Sequence, residues 1–223
     1  MGADLDLLAR CICIDGWASS GKTTLARNLG VALGMPAIHT GMLYRATTLR
    51  WLSNAGKDWS ELAEEASDPG AFRDCVSWPA RSATGPDGIW DQEVTSAVSR
   101  VAKEPLVRTT LGEATRRFVR SFGPAILEGR DTGIAIVPEA KTRVFLECQE
   151  SIRASRTAPS GLVAERDRAD KTISNPETTI ESYVKIDTSR VSALEATAIV
   201  VKLYAGSHSF SRRTANESAS RCV

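Results

Sequence analysis

Short apolar runs recur along the chain at Cys11–Asp15, Pro36–His39, Ala125–Glu128, Arg143–Leu146 and Tyr183–Asp187. Each is too short for a helix and is bounded by turn residues, so each is predicted to be a buried strand. Between them the polar and apolar positions take a helical period. Helices are predicted over Thr24–Leu33, from Gly41 through Trp51 with Gly56 as a stop, and over Gln92–Ala102. Another is predicted from Pro105 to Phe122, with Pro opening the first turn and Gly123 ending it. Helix signals return at Ile152–Ala158, and Ser192 with Glu195 three residues on forms a capping box for a last helix to about Tyr204. A similar box, Asp58 with Glu61, opens a short acidic helix. Strands alternating with helices predict an α/β fold, a parallel sheet covered by helices.

Two stretches break this rhythm. Residues Phe72–Gly88 carry Trp, Pro and Gly, with a turn at Pro86-Asp87-Gly88, and read as a small inserted lobe. Pro159–Lys171 bears Gly and charge and reads as mobile. From Ser207 to Val223 the chain is rich in Ser, Arg and Asn without apolar periodicity, which predicts a disordered tail. No internal repeat is visible.

The 223 residues are 42% hydrophobic and 25% charged, which suits one globular domain over about residues 10–206. A net charge of +1 does not point to nucleic acid or membrane, and Arg212-Arg213 is too short a basic run to change that. The apolar pieces of Met1–Arg10 are too short for a signal or membrane helix, and Asp6 spoils a myristoylation pattern after Gly2. The five cysteines are scattered, with no C-x-x-C pair, which predicts reduced thiols in a cytoplasmic protein.

The first strand runs directly into Gly16-Trp17-Ala18-Ser19-Ser20-Gly21-Lys22-Thr23, and a helix follows. This is the G-x-x-x-x-G-K-[ST] phosphate loop in its strand–loop–helix setting. Backbone N–H groups and the positive helix end would hold nucleotide phosphate. Lys22 would reach the β/γ oxygens and Thr23 would help hold Mg²⁺. The nucleotide-binding set is Gly16, Ala18, Ser19, Ser20, Gly21, Lys22, Thr23 and Thr24, with ATP and Mg²⁺ as the implied cofactors. Three further clusters stand on the substrate side: Thr40-Gly41-Met42-Leu43-Tyr44-Arg45, Ser99 to Arg108, and Glu128-Gly129-Arg130-Asp131. The first and third follow strands, where open α/β sheets bind ligands.

Together these elements resemble the cytidylate kinase family of nucleoside monophosphate kinases, from about Cys11 to Tyr204. T-G-x-x-Y-R, S-x-V-A-x-x-P-x-V-R and G-R-D stand in that family's order beside the phosphate loop. The resemblance implies a three-layer phosphate-loop kinase fold with a central five-stranded parallel sheet, a substrate insert at 72–90 and a lid at 157–173. The implied reaction is phosphoryl transfer from ATP to CMP or dCMP by a monomer. A carboxylate suits the cytosine N4 amino group, so Asp131 would read it and would face uracil O4 unfavourably. Arg108 could donate to N3 and O2, and Ser99 can serve either side. By the same resemblance Arg45 and Arg130 would hold the acceptor phosphate through their planar forks. Thr40, Tyr44, Arg166 and Asp170 complete the implied substrate set. Lys22 with lid arginines among Arg153, Arg156, Arg166 and Arg168 would neutralise charge on the transferred phosphoryl, and lid closure would exclude water.

The chain departs from the family's pattern in three places. His39 stands where relatives have Asp near the metal and phosphate loop. It is either a loss of negative charge there or a satisfied histidine at a strand end. Ile89-Trp90 replaces the usual Ile-Arg, removing one substrate arginine. The lid is short: Glu165-Arg166-Asp167 is kept and Asp170 falls at a sugar-contacting position, but Ala169, Lys171 and Ile173 occupy typical arginine positions. Two alternatives therefore stand beside the kinase reading: a relative acting on a modified pyrimidine nucleotide or other small acceptor, and a degenerate nucleotide-binding protein without turnover.

Overall fold

The computed structural model of the protein describes residues 2–53, 58, 61–62, 72–156 and 182–219. The lid at 157–173 and most of the acidic helix expected from Asp58 lie outside them. The five expected strands form as β1 (Ile12–Gly16), β2 (Ala37–His39), β4 (Ile126–Gly129), β5 (Thr142–Glu147) and β6 (Val184–Asp187). They lie side by side in the order β2-β4-β1-β5-β6, all parallel. The sheet is not purely parallel. A sixth strand, β3 (Val76–Ser77), joins the β2 edge antiparallel, pairing Ala37 with Ser77 and Ile38 with Val76. It comes from the insert, whose Trp, Pro and Gly hid a two-residue strand from any periodicity argument.

Helices α2 (Lys22–Leu33), α3 (Thr40–Ser53), α4 (Gln92–Val101), α5 (Pro105–Phe122), α6 (Glu150–Ser155) and α7 (Ala193–Ala219) follow, with α1 (Gly2–Ala9) preceding β1. The expected punctuation is in place. Pro105 opens α5, and Gly123 ends it with its N–H on Val119 O. The Ser192 N–H donates to Glu195 Oε2 at 2.7 Å, and Glu195 N–H donates back to Ser192 Oγ at 3.2 Å. The α7 backbone continues to Ala219, past Ser207 where the tail was expected to begin.

Side-chain alternation along β1 divides the core into two layers. Ile12 and Ile14 join Leu25, Leu29, Val144, Leu146 and Val200 under α2 and α7. Cys11 and Cys13 face the other way, with Ile38, Leu111, Val119 and Leu127 under α3 and α5. This is the three-layer arrangement, with each face of the sheet buried against helices. Cys11, Cys13 and Cys75 are buried free thiols, used as small hydrophobes. Burial pushes the Cys11 thiol up to about 11 and the Cys75 thiol up to about 12.

Topology now positions the site. The chain leaves β1, skips a place to β2, and later fills that place with β4; from β4 it crosses to β5 on the other side of β1. The crevice between the carboxyl ends of β1 and β4 is thus where the winding reverses, the place where such sheets bind ligands. Asp15 pairs with Gly129 across this crevice. Gly129 is needed there, because a Cβ would lie 2.4 Å from Thr40 Oγ1 and 2.7 Å from Thr132 Cγ2. Gly129→Ala is expected to cost about 1–3 kcal/mol through forced displacement of these neighbours. A lowered urea midpoint with an unchanged slope would report it. An unchanged midpoint would mean the turn after β4 is not packed against α3 as described.

Candidate active site

The phosphate loop owes its shape to glycines where side chains do not fit. A Cβ on Gly16 would stand 2.5 Å from Leu146 O on the neighbouring strand. Ser19 (φ 58°) and Gly21 (φ 99°) are left-handed, a backbone conformation that suits an anion-binding concavity. Helix α2 starts at Lys22 with no side-chain cap on its first N–H groups, so its positive end is open to a ligand. Among the described residues, the buried Ser20 hydroxyl has no hydrogen-bond partner. An orphaned buried donor inside such a loop fits a bound phosphate oxygen. Lys22 Nζ donates to Trp17 O at 2.6 Å, bending the lysine over its own loop.

Two buried carboxylates at the ends of the central strands brace the loop, and neither was assigned a role from sequence. Asp15 accepts from Thr132 N–H (2.9 Å), Thr132 Oγ1 (3.0 Å), Gly133 N–H (3.1 Å) and Tyr183 OH (2.8 Å). Burial pushes its carboxyl up, against the pull of these four donors. It ties β1 to the turn after β4 and so fixes where Arg130 and Asp131 stand. Glu128 Oε1 accepts from Thr23 Oγ1 at 3.1 Å and lies 3.0 Å from His39 Nδ1. Burial alone would push the Glu128 carboxyl up; His39, Lys22 and Thr23 together outweigh it and hold it below its ordinary value. The available signal for both residues was a lone acid ending an otherwise apolar strand.

The residues beside Thr23 suit Mg²⁺: a hydroxyl and a carboxylate are hard oxygen donors. Among the described residues there is no cluster of three or more His, Cys, Asp or Glu that could hold a metal by itself. A site with few protein ligands is what Mg²⁺ shared with nucleotide phosphates requires. The negative charge that His39 lacks is therefore present nearby on Glu128.

Thr40 is buried and donates to Glu128 O at 2.8 Å, which locks the start of α3 to the end of β4. Arg45 is also buried: its guanidinium donates to Ile89 O (2.9 Å) and Thr95 Oγ1 (3.0 Å) and lies 4.7 Å from the Trp90 ring centroid. Trp90 thus offers a π face to Arg45 at the position where an arginine was expected. Arg130 donates to Gly16 O at 2.6 Å, placing its guanidinium at the mouth of the phosphate loop. Arg108 donates to Asp131 Oδ2 at 2.5 Å, with both partly exposed. Tyr44 adjoins this pair; burial, aided by Asp131 and opposed by Arg108, pushes its hydroxyl up to about 12. Ser99 is half-buried on α4. The last turn of that helix leads to Ala102, whose carbonyl accepts from Arg108 at 3.4 Å.

On the other flank, Arg153 is buried, donating to Cys148 O (3.1 Å) and to Ala18 O of the loop (3.2 Å). Arg156 donates to Thr188 O at 3.1 Å, and Thr188 Oγ1 donates to Ser20 O at 2.8 Å. Both arginines therefore bear on the phosphate loop. Arg166, Arg168 and Asp170 lie outside the described residues. Among the described residues no helix is long and apolar enough to cross a membrane.

The chain is similar in sequence to known proteins. A family profile described as cytidylate kinase matches residues 12–205. A curated protein from Methylocella silvestris, named cytidylate kinase, is 39% identical over 151 residues, 66% of this chain and 64% of that protein. One of the same name from Acidiphilium cryptum is 34% identical over 200 residues, 83% of this chain and 90% of that protein. The matched part thus spans a little under two thirds of the first relative and nine tenths of the second. Among solved structures, a gluconokinase from Sinorhizobium meliloti 1021 matches at 16% identity with a TM-score of 0.44, covering 96% of this chain and 97% of that one.

The Asp15 brace generates a stability prediction. Tyr183→Phe removes one buried hydrogen bond to a carboxylate and is expected to cost about 1–3 kcal/mol, read by urea unfolding. A loss below the error of the measurement would mean that Tyr183 does not hold Asp15.

Proposed function

The chain belongs to the cytidylate kinase family, and on that premise we propose that it transfers a phosphoryl group from ATP to CMP or dCMP. The observation that carries this reading is the meeting of the phosphate loop with Arg130, next to the Asp131–Arg108 pair, at the reversal point of the sheet. Donor and acceptor would lie on adjacent strand ends, which favours in-line transfer by positioning alone. The ATP phosphates would occupy the concavity of Gly16–Thr23, where the open end of α2, Lys22 and the orphaned Ser20 hydroxyl converge. Thr23 and Glu128 would hold Mg²⁺, which when bound neutralises phosphate charge. No general base is required, because the acceptor phosphate oxygen is already ionised.

The Arg108–Asp131 pair supports the base assignment. An N–H donor beside a carboxylate acceptor complements N3 and the N4 amino group of cytosine. Uracil would oppose O4 to the carboxylate, leaving polar groups unpaired. Ser99 and Tyr44 would complete this wall. Arg130, with Arg45 behind it, would hold the acceptor phosphate. Arg153 and Arg156 from one flank, with Arg166 from the lid, would neutralise charge on the group in transfer, while Asp170 would meet the sugar. We further propose that the protein works as a cytoplasmic monomer on free nucleotides, with 72–90 as the acceptor lobe and 157–173 as the lid. Trp90 over Arg45 is the observation that favours the second reading, a modified pyrimidine acceptor.

Acceptor-dependent ADP formation from Mg·ATP should be selective for CMP or dCMP over UMP, AMP and GMP. Lys22→Ala should abolish it in folded protein, and near-normal activity there would sink the phosphate-loop mechanism. Asp131→Ala should erode the preference for CMP over UMP by roughly 10–100-fold. Turnover confined to another pyrimidine nucleotide would select the second reading. ATP binding without any turnover would select a non-catalytic role.

A further inference from the structure

His39 ends β2 with its side chain only 1% exposed, and both ring nitrogens are engaged. Nδ1 lies 3.0 Å from Glu128 Oε1, and Nε2 lies 2.7 Å from Ser77 Oγ on β3. Ser77 Oγ also accepts from Ala83 N–H at 2.9 Å. The direction of each bond follows from the inventory of donors. An ionised Glu128 can only accept, so Nδ1 carries the proton and donates. In the neutral ring Nε2 must then accept, and among the described residues the donor facing it is the Ser77 hydroxyl, whose own oxygen takes the Ala83 N–H. The chain of bonds therefore runs one way, from the Ala83 backbone through Ser77 and His39 to Glu128. There it meets the Thr23 hydroxyl, which donates to the same Oε1 atom from the phosphate loop.

We propose that His39 is a positioning residue that orients Glu128 for Thr23 and couples the inserted lobe to the donor-nucleotide end of the site. This rests on the kinase reading above for the identity of the ligand, though not for the hydrogen bonds. Holding Glu128 as the acceptor of the Thr23 proton leaves the Thr23 lone pairs free for a hard cation. The insert reaches this centre because β3 pairs with β2, placing Ser77 beside His39 at the sheet edge. An aspartate at position 39 would set a second carboxylate against Glu128, and two carboxylates in contact do not both stay ionised. With Glu at 128 the geometry asks for a donor at 39, and the imidazole supplies one while keeping a second contact for the insert.

The chain holds two histidines, so His208→Gln leaves His39 as the sole imidazole for nitrogen NMR. The proposal expects the Nδ1–H tautomer in the ligand-free protein; an Nε2–H tautomer overturns it. Calorimetry then reads Mg·ATP binding against ATP in excess EDTA. His39→Asn keeps a donor at the Nδ1 position and should hold Mg·ATP affinity near the parent's. His39→Gln and His39→Ala should weaken Mg·ATP by about tenfold while leaving metal-free ATP unchanged. Ser77→Ala should weaken Mg·ATP by a few-fold in the parent and have no effect in His39→Asn, since the link is already cut. Equal Mg·ATP affinity in the parent, His39→Ala and Ser77→Ala overturns both the positioning role and the coupling, and leaves the phosphate-loop reading standing. A parent that binds no Mg·ATP overturns the phosphate-loop reading, and the role of His39 toward that ligand with it.

Discussion

The parallel pairing of β1 with β4 is the constraint on which the rest of the structure depends. It sets Asp15 opposite Gly129, so that the two turns leaving these strands start side by side. Asp15 reaches over to the backbone of Thr132 and Gly133, and Arg130 reaches back to the carbonyl of Gly16. Glu128, one residue earlier, meets Thr23 from the phosphate loop. Each link joins residues more than a hundred positions apart in the chain, so the site exists only when the sheet is closed. Since an unpaired buried carboxylate is costly, the brace also penalises any register that separates these strands.

Around this junction the chain buries several charged side chains, Asp15, Glu128, Arg45 and Arg153 among them. Arg45 and Arg153 are both inside the protein, Arg45 donating to the Ile89 carbonyl and the Thr95 hydroxyl and Arg153 to the carbonyls of Cys148 and Ala18. Arg108 is paired to Asp131, as suits a surface that reads a neutral base edge through adjacent donor and acceptor groups. The Trp90 face against Arg45 holds that guanidinium without adding a second cation beside it.

The five parallel strands were legible because a short apolar run with turn residues at both ends has few alternatives to a buried strand. The phosphate loop was legible because its glycine spacing encodes a backbone shape. Strand β3 was not: two residues carry no period, and they pair only because the insert folds back on β2. Helix α1 was read only as too short to span a membrane, although Leu8 is fully buried in the core. At the site, Glu128 was visible as part of a cluster but not as the partner of Thr23, because no local pattern reports which strand ends meet. His39 was weighed equally as a missing charge and as a satisfied histidine at a strand end; both ring nitrogens have partners, and the carboxylate lies on the neighbouring strand as one of them. Sequence reading thus recovers what local pattern encodes, and loses what only parallel neighbours bring together.

The central claim is that donor and acceptor nucleotides occupy adjoining halves of one crevice between β1 and β4. The most direct measurement is binding of a bisubstrate compound, adenosine joined to cytidine through five phosphates, competed against ATP and against CMP separately. The account predicts competition with both nucleotides, with affinity above that of either alone, and loss of affinity in both Lys22→Ala and Asp131→Ala. Competition with ATP only, unaffected by Asp131→Ala, would contradict it.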